Sequence, residues 1–97
     1  MTCTVLLEVT AQEGKGDALV DLFRSILGDT RAFDGCDGIE VMQDWDTPTS
    51  VVLIERWTSR EHYEAYFNWR QESGTLAAMG EFLAAPPAKR YFATQDA

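Results

Sequence analysis

The stretch from Val51 to Arg70, VVLIERWTSREHYEAYFNWR, constrains this chain more than any other. An unbroken apolar strand runs directly into a capped helix that carries one imidazole and four large aromatic groups. Thr58 and Ser59 are both N-cap residue types, and Thr58 with Glu61 three residues later fits a capping box, so the hydrophobic period changes from two to 3.6 at Trp57. Trp57 is therefore expected at a strand-to-helix corner. Alternation sends Leu53, Glu55 and Trp57 to one face of the strand, and the corner folds the helix back over that face. The resulting expectation is a cavity lined by Leu53, Glu55, Trp57, Tyr63 and Tyr66, with His62 near its mouth.

The rest of the chain supplies partners for this unit. Thr4 to Thr10 reads as a strand with Val5, Leu7 and Val9 on one face and Leu6 on the other. After the turn EGKGD, the spacing of Leu19, Leu22, Phe23, Ile26 and Leu27 predicts an amphipathic helix from Asp17 to about Asp29. DGCDG turns the chain into a strand from Ile39 to Trp45, and DTPTS reverses it into the strand ending at Trp57, which makes a hairpin. Beyond a helix from Arg60 to about Ser73, Gly74 permits a break. Leu76, Met79, Phe82 and Leu83 then suggest a short helix stopped by Pro86 and Pro87, and Lys89 to Thr94 forms the last strand. The order β-α-β-β-α-α-β predicts an α+β, ferredoxin-like antiparallel sheet with helices on one face, in one domain spanning residues 1–97. Val52 and Ile54, joined by Leu6 and Met42, make the second face apolar as well. The simplest cover for it is a second copy of the same sheet, which predicts a homodimer through that face.

Charge and composition remove several function classes. The net charge of −8 opposes a phosphate backbone, and the eight basic residues are scattered, so no nucleic-acid partner is expected. No apolar run approaches the roughly 20 residues of a membrane span. The N-terminus, MTCTVLLEVT, reads as a first strand and not as a leader, and a cytoplasmic location is the default expectation. Cys3 and Cys36 fit no zinc spacing and are expected to be buried thiols. With a single histidine in the chain, a metal site would depend on carboxylates, and none is expected.

Three residues are candidates for acid–base work. Glu55 has the strand parity of Leu53 and Trp57, and a carboxyl on the covered face must be paired or shift its pKa, which suits a general base. His62, in the first helical turn, is the other candidate proton acceptor. Tyr66 can supply a phenolic hydrogen bond. His62, Tyr66 and Trp69 share one helical stripe while Tyr63, Phe67 and Arg70 share the next, and one of the two must face inward. Arg70 can ion-pair with Glu55, Glu64 or Glu72, or anchor an anionic ligand.

The Gly14-Lys15 turn, the helix ending in TRAFDGC, the hairpin and the strand ending in ERW before TSREHYEAY together resemble the antibiotic biosynthesis monooxygenase family of dimeric α+β barrels. The resemblance covers nearly the whole chain. It implies a pocket between helices and sheet, and a family that includes cofactor-free oxygenases of quinols and anthrones, haem-degrading enzymes and proteins with no known reaction. Ring-oxidising members have a tryptophan at the end of the third strand and a tyrosine six residues on, which fall on Trp57 and Tyr63. Their asparagine falls on Leu53 and their later arginine near Ala77. The asparagine, tryptophan and histidine of haem-degrading members fall on Leu7, Tyr66 and Leu76, so none is kept. Many quinol-oxidising relatives have a histidine where Tyr66 stands. The resemblance thus implies a cofactor-independent monooxygenase of a small aromatic substrate of quinol, anthrone or polyketide type. The alternative is a non-catalytic dimer that binds a small aromatic or acyl ligand.

Overall fold

Alternating apolar residues commit four segments to one antiparallel sheet, and the computed structural model, which describes residues 2–97, shows three helices covering one side of it. In chain order the elements are β1 (Cys3–Thr10), α1 (Gly16–Ala32), β2 (Cys36–Gln43), β3 (Ser50–Trp57), α2 (Arg60–Glu72), α3 (Thr75–Gly80) and β4 (Ala88–Phe92). The strands lie in the order β2-β3-β1-β4 with every neighbouring pair antiparallel, so the two halves of the chain interleave in the ferredoxin-like manner. Two rows of this sheet lie beneath the helices of the second half of the chain. In one, Leu53 on β3 sits opposite Leu7, which sits opposite Lys89; in the other, Glu55 sits opposite Val5, which sits opposite Tyr91.

Several element ends differ from the sequence reading, each for a local reason. β2 begins at Cys36 and stops at Gln43, leaving Trp45 in the loop and 98% exposed. The side chain of Asp44 ends the strand there: its Oδ1 accepts from the N–H groups of Asp46 at 2.8 Å and Thr47 at 2.9 Å, which folds the backbone into an Asx turn. α2 begins at Arg60 as expected, and of its two N-cap candidates Ser59 is the cap, so the Thr58–Glu61 capping box does not form. Ser59 Oγ accepts from the His62 N–H at 3.2 Å, while Thr58 Oγ1 turns toward Asp37. α3 ends at Gly80, so Phe82 and Leu83 belong to the turn after it, where Leu83 bridges to Ala11. The last strand stops at Phe92, short of Thr94. α1 runs on to Ala32 because Leu27 and Thr30 continue its buried stripe.

The core lies between helices and sheet in two clusters. In one, Leu19, Phe23 and Leu27 of α1 meet Val9, Val51, Leu53 and Met79; in the other, Cys3, Val5, Trp57, Tyr63 and Tyr66 pack together. Each large apolar side chain so buried stabilises the fold by roughly 1.5–3 kcal/mol. On the opposite sheet face Leu6, Val52 and Ile54 are half-buried, with Met42 and Phe92 more exposed. This face is not uniformly apolar: ion pairs of Arg56 with Glu40 at 2.9 Å and Arg90 with Glu8 at 2.8 Å flank the apolar centre. Among the described residues no helix is long and apolar enough to cross a membrane.

Candidate functional site

A cavity of ≈ 350 Å³ opens between the three helices and the sheet. Its walls are mostly aliphatic and aromatic, from Phe23, Ile26 and Leu27 on α1, Leu53 on β3 and Leu76 and Met79 on α3. Into this apolar space β3 contributes Glu55, β4 contributes Lys89, and α2 contributes Tyr63, Tyr66, Phe67 and Arg70.

Glu55 is only 3% exposed, and its charged form is correspondingly disfavoured. Burial pushes its carboxyl up to about 7, against the opposing pull of the Trp57 hydrogen bond and the positive charges of Lys89 and Arg70. The Trp57 indole N–H donates to Glu55 Oε1 at 3.2 Å. Trp57 does this from behind the cavity and does not line it, which corrects the expectation for that residue. The indole is fully buried, its ring 4.9 Å from that of Tyr66 and 5.7 Å from that of Tyr63, so the two tyrosines stand over it.

His62 is also displaced from its expected place. Its Nδ1 lies 2.6 Å from Ser59 Oγ and its Nε2 lies 3.8 Å from Asp34 Oδ2, outside the cavity lining. The ring packs on Gly35, whose φ of +88° and lack of a Cβ let the chain pass so close that a methyl group there would run into the imidazole. His62 is thus part of the joint between the end of α1 and the start of α2 and does not line the cavity.

Neither helical stripe expected of α2 faces inward alone. The buried residues are Tyr63, Tyr66 and Arg70, one from the first stripe and two from the second. Arg70 forms none of the ion pairs open to it from sequence: it is 4% exposed, and no carboxylate of the described residues pairs with it. Its Nε donates to the Tyr66 hydroxyl at 2.9 Å, and its Nη2 donates to the Ile26 carbonyl at 2.7 Å and to Thr30 Oγ1 at 2.8 Å. Tyr66 Oη and Thr30 Oγ1 are 2.7 Å apart. The Tyr66 phenol is therefore engaged in holding Arg70. Burial raises the Tyr66 pKa against the lowering effect of these two hydrogen bonds, and burial together with the Glu55 charge raises that of Tyr63.

Two residues at this site escaped the sequence reading. Lys89 places its Nζ 3.7 Å from the Phe67 ring centre and 4.9 Å from that of Tyr63, and burial lowers its pKa against the Glu55 charge. Its parity with Tyr91 on β4 was the available signal. Thr30, completely buried, had no such signal, because a lone threonine near a helix end reads as solvent-facing. Among the described residues no cluster of metal-ligating side chains occurs.

The family described as antibiotic biosynthesis monooxygenase matches residues 2–93. Among solved structures, Rv0793 from Mycobacterium tuberculosis is 27% identical over 100% of this chain and 98% of its own, with a TM-score of 0.78. A conserved protein from Methanosarcina mazei Go1 is 15% identical, with 98% of this chain and 94% of that one covered and a TM-score of 0.87. A mutant of SnoaB, a cofactor-independent oxygenase from Streptomyces nogalater, is 14% identical, covers 99% of this chain and 95% of its own, and has a TM-score of 0.85. At these identities the last two show the shared fold alone. No curated protein matches the chain by sequence.

Proposed function

Because the chain belongs to the antibiotic biosynthesis monooxygenase family, we propose that it is a cofactor-independent monooxygenase of a small aromatic substrate of quinol, anthrone or polyketide type, with Glu55 as the base. One observation carries the reading: a buried carboxyl at the wall of an apolar cavity, with its pKa pushed up to about 7. A carboxylate of that basicity takes a phenolic or activated C–H proton more readily than an exposed one, and near neutral pH both protonation states are at hand for removal and return. For an anthrone-type methylene the balance is complete without a further reductant. The ring CH2 and dioxygen give a carbonyl and water, the substrate supplying both hydrogens and all the electrons. Glu55 takes the first proton, the resulting carbanion transfers electrons to dioxygen, and the proton returns to the oxygen that leaves as water. The apolar walls keep bulk water from the anion.

The functional unit in this proposal is a homodimer through the open sheet face, supported by the apolar centre formed by Leu6, Val52 and Ile54. The two free thiols, Cys3 and Cys36, support a reducing, cytoplasmic setting. The second reading, a dimeric binding protein without turnover, draws support from Leu53, an aliphatic side chain in the cavity wall where the ring-oxidising relatives have an amide.

Oxygen uptake and absorbance, followed over a panel of anthrones and quinols, test the proposal. The wild-type chain should consume oxygen with at least one of them, and Glu55→Gln should lower kcat by about a hundredfold or more with little change in affinity. Binding without oxygen uptake across the panel would leave the binding reading in place.

A further inference from the structure

The Arg70 guanidinium is a buried cation with an incomplete set of partners. Nε has the Tyr66 hydroxyl, and both hydrogens of Nη2 are used, by the Ile26 carbonyl and Thr30 Oγ1. The indole of Trp69 covers it, its ring centre 4.6 Å from Cζ. Nη1 makes no hydrogen bond among the described residues, yet none of their completely enclosed side-chain polar atoms lacks a partner. Nη1 therefore keeps accessible surface. Arg70 is one of the residues that line the cavity, and the residue as a whole is only 4% exposed. A buried cation that no ion pair balances is destabilising unless a ligand compensates it, and Lys89 adds a second positive charge to the same walls.

The occupied positions also select the shape of the anion. A carboxylate binds a guanidinium through a fork, either Nε with Nη2 or Nη1 with Nη2. Both forks need Nη2, whose hydrogens are already committed. What remains is one nitrogen, suited to one oxygen. We propose that Arg70 Nη1 receives a single anionic oxygen, that of an ionised phenol or enol on a ring held in the cavity, in preference to a carboxylate. This rests on the reading of the cavity as the site where an acidic aromatic compound loses a proton, and it assigns Arg70 to the oxygen that carries the resulting charge. Tyr66 and Thr30 are then positioning residues, which fix the guanidinium and block its Nε–Nη2 fork, while the Ile26 carbonyl blocks the other.

Three probes of one ring size test this by isothermal titration at neutral pH with the full wild-type chain: 2-hydroxy-1,4-naphthoquinone, an enol ionised under these conditions; 2-amino-1,4-naphthoquinone, its neutral analogue; and 2-naphthoate. The enolate should bind about tenfold or more tightly than either of the others. Arg70→Gln should abolish the preference while leaving the neutral analogue bound. Thr30→Val, which removes one of the acceptors that fix the guanidinium, should weaken the enolate preference while leaving the neutral analogue bound. Equal affinity for enolate and neutral analogue, tightest binding of naphthoate, or no binding by any probe overturns the proposal, and this wild-type comparison stands even if Arg70→Gln fails to fold. Oxygen plays no role in the measurement. Enolate preference without oxygen uptake from anthrones and quinols removes the oxygenase reading and keeps the receptor, whereas turnover without enolate preference does the reverse.

Discussion

Replacing Glu55 by glutamine should separate two effects of one proton. In the folded chain this carboxyl is raised from its ordinary 4.5 to about 7, chiefly by burial. A raised acid binds its proton more tightly when folded, so the stability it confers is complete below pH 4.5 and is lost as pH climbs to about 7. At about 1.4 kcal/mol for each pH unit between those values, the loss is on the order of 3 kcal/mol, or roughly 10 °C or more in Tm for a domain of this size. The glutamine cannot ionise, yet its amide carbonyl can still accept from the Trp57 indole. The variant should match the wild type near pH 4.5 and become the more stable of the two by pH 8. Thermal melts of both proteins from pH 4.5 to 8.5, taken as differences so that other titrating groups cancel, check this. Turnover should run the opposite way, rising through pH 7 in the wild type as the base ionises and staying about a hundredfold or more lower in the variant, without that rise. If the Tm difference between the two proteins does not change with pH, Glu55 is not held in the raised state and the case for it as base collapses.

Other substitutions probe the neighbouring features. Trp57→Phe removes the indole donor to Glu55 Oε1 and leaves a void under the two tyrosines, which should lower stability by about 2–4 kcal/mol and raise the Glu55 pKa further, moving the turnover profile to higher pH. Ile54→Lys puts a charge at the apolar centre of the open sheet face; light scattering should report twice the 10.9 kDa chain mass for the wild type and the single mass for the variant, and a monomeric wild type removes the dimer proposal. Haemin should give no sharp, shifted Soret band on titration, because Leu7, Tyr66 and Leu76 stand where haem-degrading relatives carry their contacts; a tight one-to-one complex that degrades with reductant contradicts this. Gly35→Ala meets both a φ of +88° and the imidazole of His62, and should cost about 2 kcal/mol or more in denaturant unfolding while leaving the ligand cavity unaltered.

The fold was legible because its signals are local. Period-two runs at Val5 to Val9 and Val51 to Trp57, and the three- and four-residue spacing from Leu19 to Leu27, each require one kind of element, and their order admits few sheets. Element ends are read less surely. At Asp44 and Ser59 a side chain competes for backbone hydrogen bonds within three residues, and hydrophobic periodicity says nothing about which of two adjacent candidates wins. Thr58 and Ser59 are both good caps, and only the packed corner, where Thr58 N–H is held by the Gly35 carbonyl at 2.8 Å, decides that Ser59 turns inward.

The site was legible in the same uneven way. Strand parity alone puts Glu55 under the helices, because the alternation has no second solution once Val51, Leu53 and Trp57 are buried. On α2 the period of 3.6 leaves the inward direction free by a fraction of a turn. Whether Tyr66 or Phe67 goes deepest depends on what α1 offers to the polar ends of Tyr66 and Arg70. It offers Thr30 Oγ1 and the Ile26 carbonyl, 36 and 44 positions earlier in the chain. That pairing lets the helix rotate so that an arginine faces an apolar cavity, an orientation that charge alone forbids and that hydrophobic patterning therefore hides. The same contact fixes which guanidinium nitrogen is left without a partner. A helix that turns its cation into the core and then leaves one of its donors unused makes sense as preparation for an oxygen that arrives with the ligand.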